Sequence, residues 1–326
     1  MVKDITIKNF KSVKNLNFQA KKVNIFIGEP NTGKSNILEA LGLFCWSHGE
    51  RGPIRYKDVE NLFSDNDITS PIEVDASQYH YSLKYEGSNF ILNISENDKI
   101  LFRKGFNQIV IPETEELRRK SVFKQYKFRV LPASASASSQ QGNLTYLMPP
   151  YGSNLFDILN TNKTVKEYVK TILKENGYQL RLRIQGKEIE VTKEIDEVYY
   201  DFPYQIISDT LQRIIFYIAI IETNKASILL LEEPEAHTFP FYTKYLAERI
   251  ALDESNQYFI VTHNPYFLIS LVEKTNIEDL GVFVTYMEDY QTKVRPFAKE
   301  EYAELLDLNA DIFFNLDKFL KHENLS

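Results

Sequence analysis

The octapeptide Gly28-Glu-Pro-Asn-Thr-Gly-Lys-Ser35 constrains this chain more than any other feature. Its spacing, G-x-x-x-x-G-K-[ST], sets two glycines at the ends of a turn. The turn's backbone N–H groups can converge on phosphate oxygens, because glycine tolerates backbone angles that other residues resist. Lys34 then offers a cation to the β- and γ-phosphates of a nucleotide, and Ser35 a hydroxyl to Mg²⁺. At ordinary glycine frequencies the pattern arises by accident in about one chain of this size in a hundred. The flanks agree with it: Val23 to Ile27 is a compact apolar run of strand length, and Ile37, Leu38, Leu41 and Phe44 recur at helical spacing. Strand, loop, helix is the order a phosphate-binding loop requires.

The rest of the chain supplies a fold for such a loop. Its 326 residues, 43% hydrophobic and 13% aromatic, suffice for a large core in one domain with insertions, or in two. Ile5, Ile7 and Phe10, then Val13, Leu16 and Phe18, alternate as two short strands joined by a turn. Residues 71–110 alternate again around turn residues and predict an antiparallel sheet. A polar, basic segment follows, then the run 133–142 of small residues, which predicts a mobile loop. Residues 155–173 have helical spacing, and 179–191 return to strand alternation around Gln185-Gly-Lys187. From Pro203 onward, an apolar helix over 209–222, the run Ile228–Leu231, a helix over 241–252 and the run Tyr258–Val261 alternate, as in a parallel sheet covered on both faces. A further strand over 281–286 and a helix around 312–320 complete the chain.

Bulk properties exclude several classes. The longest apolar stretch near the middle, Ile214 to Ile221, is far shorter than the ~20 residues of a membrane span, and no signal-peptide core opens the chain, so a cytoplasmic protein is expected. One cysteine, Cys45, excludes an intramolecular disulfide, and the five dispersed histidines predict no zinc site. A net charge of -7 requires any nucleic-acid contact to come from a local patch or a dimer groove.

Two strand ends carry further chemistry. The run Ile228–Leu231 ends in Glu232-Glu233-Pro-Glu235-Ala-His237. At the tip of a strand beside a phosphate loop, the first carboxylate can hold Mg²⁺ and the second can orient and deprotonate a water. Glu235 has a weaker case and can simply shape the turn. The run Tyr258–Val261 leads through Thr262 to His263, at the end of a parallel strand where open sheets bind ligands. Ser208, at the start of the apolar helix, is suited either to capping or, with the helix N-terminus, to an anion.

Together these residues resemble the ABC-type ATPases of the SMC, RecF and OLD (overcoming lysogenization defect) group. Ile7-Lys-Asn-Phe-Lys11-Ser12 looks like that group's first strand and turn, and Gly28 to Ser35 like its Walker A loop. Leu231 to His237 looks like its Walker B strand and dimer-contact loop, and Thr262 to Phe267 like its switch histidine segment. The resemblance implies an α/β P-loop NTPase of the ABC-type ATPase head class, with a mixed central sheet, an antiparallel β subdomain and a helical insertion. It implies a single head over 1–326: a Walker A lobe (1–50), the antiparallel subdomain (71–110), an insertion with the basic segment and mobile loop (111–200), a signature, Walker B and switch lobe (203–270), and a C-terminal strand and helix (271–326). ATP with Mg²⁺ is the implied cofactor. The resemblance puts Lys11, Ser12, Gly28, Glu29, Pro30, Asn31, Thr32, Gly33, Lys34, Ser35 and Asn36 on the nucleotide and Ser35 and Glu232 on the metal. Glu233 and His263 become the catalytic pair, and Ser208 stands at the signature position, reaching the partner subunit's nucleotide in a homodimer.

The chain also departs from that group. No Ser-Gly-Gly stands at the signature position, Asp209 puts negative charge there, Glu232 replaces the usual aspartate, and Phe239 stands where a second histidine is common. The Q-loop glutamine has candidates only by position, Gln140 and Gln141. Arg118, Arg119, Lys120, Lys124, Lys127 and Arg129 form the densest basic segment, suited to a DNA backbone or to a solvated helix face balanced by Glu113, Glu115 and Glu116. With no coiled-coil arm and little chain after His263 for a nuclease domain, the expectation is a slow ATPase that switches a separate effector such as a nuclease, in DNA processing or anti-phage defence. A RecF-like repair clamp is the alternative, and a transporter ATPase subunit fits less well.

Overall fold

The computed structural model describes residues 1–45, 53–106, 121–130 and 145–320. In chain order, the strands are β1 (Asp4–Phe10), β2 (Val13–Gln19), β3 (Val23–Gly28), β4 (Ile72–Ala76), β5 (Tyr79–Glu86), β6 (Asn89–Glu96), β7 (Lys99–Phe106), β8 (Phe123–Tyr126), β9 (Gln179–Arg183), β10 (Glu188–Ile195), β11 (Val198–Pro203), β12 (Ile228–Glu232), β13 (Gln257–Val261), β14 (Leu280–Glu288) and β15 (Gln291–Pro296). The helices are α1 (Lys34–Gly42), α2 (Leu155–Thr161), α3 (Lys163–Glu175), α4 (Asp209–Thr223), α5 (Pro240–Leu252), α6 (Pro265–Lys274), α7 (Glu301–Leu308) and α8 (Leu316–Leu320).

The unbroken apolar runs become the middle of a six-stranded sheet in the order β15-β14-β3-β13-β12-β8. All its neighbours are parallel except the hairpin partner β15, so the sheet is mixed. The reason for the unbroken runs is visible in the packing. Leu229 and Leu231 of β12, and Tyr258 and Ile260 of β13, face one core, while Leu230, Phe259 and Val261 face the other. Successive strand side chains point to opposite faces, and a sheet covered on both sides needs apolar residues at every position. Helices α2 to α6 fill the first core, with α4 buried over most of its circumference. The second core lies against α1 and the antiparallel sheet β2-β1-β4-β5-β6-β7. The two opening strands, read from sequence with the phosphate-loop segment, therefore hydrogen-bond into that antiparallel sheet, β1 pairing with both β2 and β4.

Several expectations are corrected. Phe123–Tyr126 lies in the segment read as polar and basic, yet it is the buried edge strand β8, parallel to β12. Lys124 is buried, donates to Asn224 Oδ1 at 2.7 Å and lies over the Tyr146 ring, and burial pushes its pKa down to about 8, so it faces no nucleic acid. Helical spacing over 155–173 resolves into two helices, α2 and α3. They break at Asn162, whose side chain accepts the Val165 N–H and starts α3. The strand alternation read over 179–191 forms the hairpin β9–β10, and β11, which was not read from the sequence, joins it in the three-stranded sheet β11-β10-β9. The C-terminal strand is a hairpin, β14–β15, and the last helix is a 3₁₀ turn, Asn309–Phe314, followed by α8. The run 133–142, Gln140, Gln141, Arg118, Arg119, Lys120 and the glutamates at 113, 115 and 116 lie outside the described residues. No helix among the described residues is long and apolar enough to cross a membrane.

Candidate functional site

The loop between β3 and α1 is held by close packing at its two glycines. At Gly28 (φ 153°) an added Cβ would lie 2.4 Å from the Thr285 carbonyl oxygen, and at Gly33 (φ 88°) it would lie 1.8 Å from Thr292 Oγ1. Both backbone conformations disfavour other residues, and neither site has room for one. The hairpin β14–β15 thus presses two threonines against the loop. Thr285 Oγ1 pairs with Thr32 Oγ1 at 2.8 Å, and Thr292 Oγ1 with Ser12 Oγ at 2.6 Å. Asn36 donates to the same Ser12 oxygen at 2.7 Å. Nothing local in the sequence marks Thr285 or Thr292, which lie over 250 positions from the loop they brace.

Lys34 is buried, and its ammonium donates to the carbonyls of Gly28 at 2.9 Å and Glu29 at 2.6 Å. Burial lowers its pKa to about 8, against the opposing pull of Glu233 and Glu29. A cleft of about 370 Å³ opens beside it, lined by Ser12, Pro30, Asn31, Gly33, Lys34, Ser35, Asn36, Arg55 and His263. Arg55 was not foreseen from the sequence. Its Nε donates to buried Glu39 at 2.6 Å, and Lys11 pairs with the same carboxylate and donates to the Arg55 carbonyl at 2.6 Å. Lys11 is thereby directed at Glu39 and holds the Arg55 segment, and it is absent from the cleft lining.

The parallel strands end beside one another and bring the other candidates to the same edge. Ser35 Oγ donates to Glu232 Oε1 at 2.5 Å, joining the first turn of α1 to the tip of β12. Glu233 follows in a left-handed conformation (φ 45°), with its N–H on the Val261 carbonyl at 2.9 Å and its carboxylate 3.7 Å from His263 Nε2. A non-glycine residue at positive φ is uncommon, and here the turn aims the second carboxylate at the neighbouring strand's histidine. Burial, then the Lys34 charge, lowers the His263 pKa below its ordinary 6.5 against the opposing pull of Glu233 and Glu232, and the net shift favours the neutral imidazole. Glu235 does more than shape the turn. It is buried, accepts the Thr262 hydroxyl, and has its pKa raised to about 7 by burial, tying the acidic loop to the segment that carries His263.

Ser208 sits elsewhere. Its hydroxyl accepts the Leu211 N–H at 3.3 Å as the N-cap of α4, and it does not line the cleft of its own chain. Asp209 is paired with Arg213 at 2.8 Å, and Thr210 donates to the His237 carbonyl at 3.0 Å, which links this helix start to the loop after β12.

This loop geometry agrees with a family comparison: the model of the AAA ATPase domain matches residues 1–213. The chain belongs to that family. The matched span includes the phosphate loop, Arg55 and Ser208, and stops before β12. No curated protein sequence matches the chain. Among solved structures, the Smc head bound to the C-winged helix domain of ScpA aligns over 93% of this chain and 99% of its own, at 14% identity and a TM-score of 0.53. An SMC head domain from Thermotoga maritima aligns over 91% and 99%, at 15% identity and a TM-score of 0.42. The likeness to the first establishes an SMC-head-like fold for this AAA ATPase domain.

Chemically, the cleft offers the backbone of a glycine-bounded loop and two cations, Lys34 and Arg55, to polyanionic phosphate. The Ser35 hydroxyl on its wall, bonded to the Glu232 carboxylate, makes a pair of hard oxygens suited to a small divalent ion. Beside them stands a carboxylate next to an imidazole whose surroundings favour the neutral form.

Proposed function

We propose that this chain binds ATP with Mg²⁺ in the Gly28–Ser35 cleft and hydrolyses it slowly, as a dimeric switch. The observation that carries this reading is the shared edge: the ends of β3, β13 and β12 bring the loop, His263 and both glutamates together. The backbone from Gly28 through Glu29, Pro30, Asn31, Thr32 and Gly33 to Asn36 would wrap the phosphates. Lys34 would exchange its two carbonyl partners for phosphate oxygens, a stronger, charge-assisted contact. Ser35 and Glu232 fit Mg²⁺, since both are hard oxygen donors already side by side. When bound, that ion would neutralise charge on the β- and γ-oxygens. Glu233 would take the proton of the attacking water, and His263 would orient that water.

The placement of Ser208 supports a dimer. In the resembled class the signature helix closes the partner subunit's site, and here that helix start lies away from its own cleft, with Asp209 neutralised by Arg213. ATP would favour the closed dimer, and hydrolysis would release it. The output reading is a separate effector, such as a nuclease, in DNA processing or anti-phage defence. The Smc head of the same fold is bound to a domain of another protein, which supports a protein partner for this chain too.

Complementation tests the shared site. Lys34→Ala should lose ATP binding, and Ser208→Arg should bind ATP without hydrolysing it. Mixed together, they should recover part of the activity, because one site of the mixed dimer then holds both intact halves. No recovery at any ratio, with light scattering showing that the two variants mix, would refute a shared site.

A further inference from the structure

The row of strand ends has one more member. Strand β8 runs parallel to β12 with Tyr126 opposite Leu231, so the next residue of each chain segment, Lys127 and Glu232, emerge side by side at the same edge. The Lys127 ammonium lies 3.8 Å from Glu232 Oε2, while Oε1 of the same carboxylate holds the Ser35 hydroxyl at 2.5 Å. The backbone on which Lys127 stands is pinned: its N–H donates to the Pro150 carbonyl at 3.0 Å, and the preceding Tyr126 hydroxyl donates to the Leu147 carbonyl. Its basic neighbours turn elsewhere, Lys124 into the interior and Arg129 onto the Tyr151 ring. Both oxygens of Glu232 are therefore engaged, one by the hydroxyl that would share a divalent ion with it and the other by an ammonium.

We propose that Lys127, the cation in ion-pair contact with Glu232, is a built-in counter-cation that competes with the divalent ion for this carboxylate and so raises the metal concentration at which the site fills. This rests on Glu232 being a metal ligand as read above. The physical basis is simple. An ammonium and a divalent cation cannot both sit against one carboxylate without strong repulsion. Lys127 is about half exposed, and its flexible four-carbon stem lets the ammonium withdraw into water when the ion arrives. The pair thus keeps Glu232 ordered and neutralised in the metal-free protein, and its breakage is a step of metal loading.

Mn²⁺ is a suitable probe, because free Mn²⁺ gives an electron paramagnetic resonance signal that vanishes on binding. Titrating the full chain with Mn²⁺ in the presence of equimolar non-hydrolysable analogue AMP-PNP, at low salt and against a protein-free AMP-PNP titration, reads metal binding at the protein without turnover. Lys127→Met should tighten Mn²⁺ about two- to fivefold, the scale of a partly exposed ion pair. Lys127→Arg should keep the wild-type midpoint. Glu232→Gln should weaken Mn²⁺, and adding Lys127→Met to it should then change nothing further, since the two residues act through one contact. An unchanged midpoint in Lys127→Met, or a shift of equal size in the Glu232→Gln background, would overturn the competition. A Glu232→Gln variant that binds Mn²⁺ like wild type would instead overturn the reading of Glu232 itself.

Discussion

Two sheets of this molecule differ in what holds them and in what they can carry. The strands β3, β12 and β13 are buried on both faces, and their tips deliver Gly28, Glu232 and Thr262 to one edge. The sheet β9–β11 is covered on one face only: β11 is exposed over most of its length, and Val198, Tyr199 and Tyr200 are each about half exposed. A strand clamped between two cores cannot shift without breaking both, so side chains at its ends stay within hydrogen-bonding tolerance of one another. A one-sided sheet has no such restraint, and none of the groups gathered at the cleft comes from β9–β11.

The comparison can be broken most directly at the strand tip. Glu233→Gln keeps the shape of the side chain and removes the base; single-turnover assays should show hydrolysis slowed by about 10² to 10⁴ with ATP binding retained. Wild-type turnover would remove Glu233 from the mechanism. Behind the tip, Leu229→Ala opens a cavity in a fully buried position and should cost about 2 to 5 kcal/mol in urea denaturation. A loss below about 1 kcal/mol would mean that β12 is not clamped as described.

A smaller effect comes from the buried Lys34. Its pKa near 8 in the free protein rises on contact with phosphate, because opposite charge favours the protonated form. Below pH 8 the ammonium is already present and affinity is flat. As pH rises through 8, binding must first recruit a proton, so calorimetric affinity for ATP should fall, by at most about tenfold per pH unit. Affinity that stays level up to pH 9.5 would contradict a depressed Lys34. The smallest effect belongs to the one-sided sheet: Val198→Thr on β11 should stay within about 0.5 kcal/mol of wild-type stability and leave ATP binding untouched.

The parts legible in the sequence were those whose physics is local. Glycines five residues apart, followed by lysine and serine, state a loop geometry by themselves. Apolar runs at every position state a doubly covered strand, and the residues just past such a run fall at its tip, which is how Glu232, Glu233 and His263 could be placed from spacing alone. The Ser208 hydroxyl was correctly anticipated at a helix start, because capping is a matter of three residues.

Other features depended on pairings between distant segments. The strand Phe123-Lys-Gln-Tyr126 is too short and polar to show any period, and it is a strand because β12 offers it an edge; only that register puts Lys127 beside Glu232. Arg55 reaches the cleft because Lys11 and Glu39 hold its segment there. Thr285 and Thr292 look like ordinary strand residues until the hairpin folds against Gly28 and Gly33, where a single added carbon would collide with them. The sequence determined the chemistry of the phosphate loop and the strand ends, since those follow from neighbouring residues. Tertiary structure decided what braces and surrounds them, since that depends on which distant backbone happens to satisfy an open edge or fill a face.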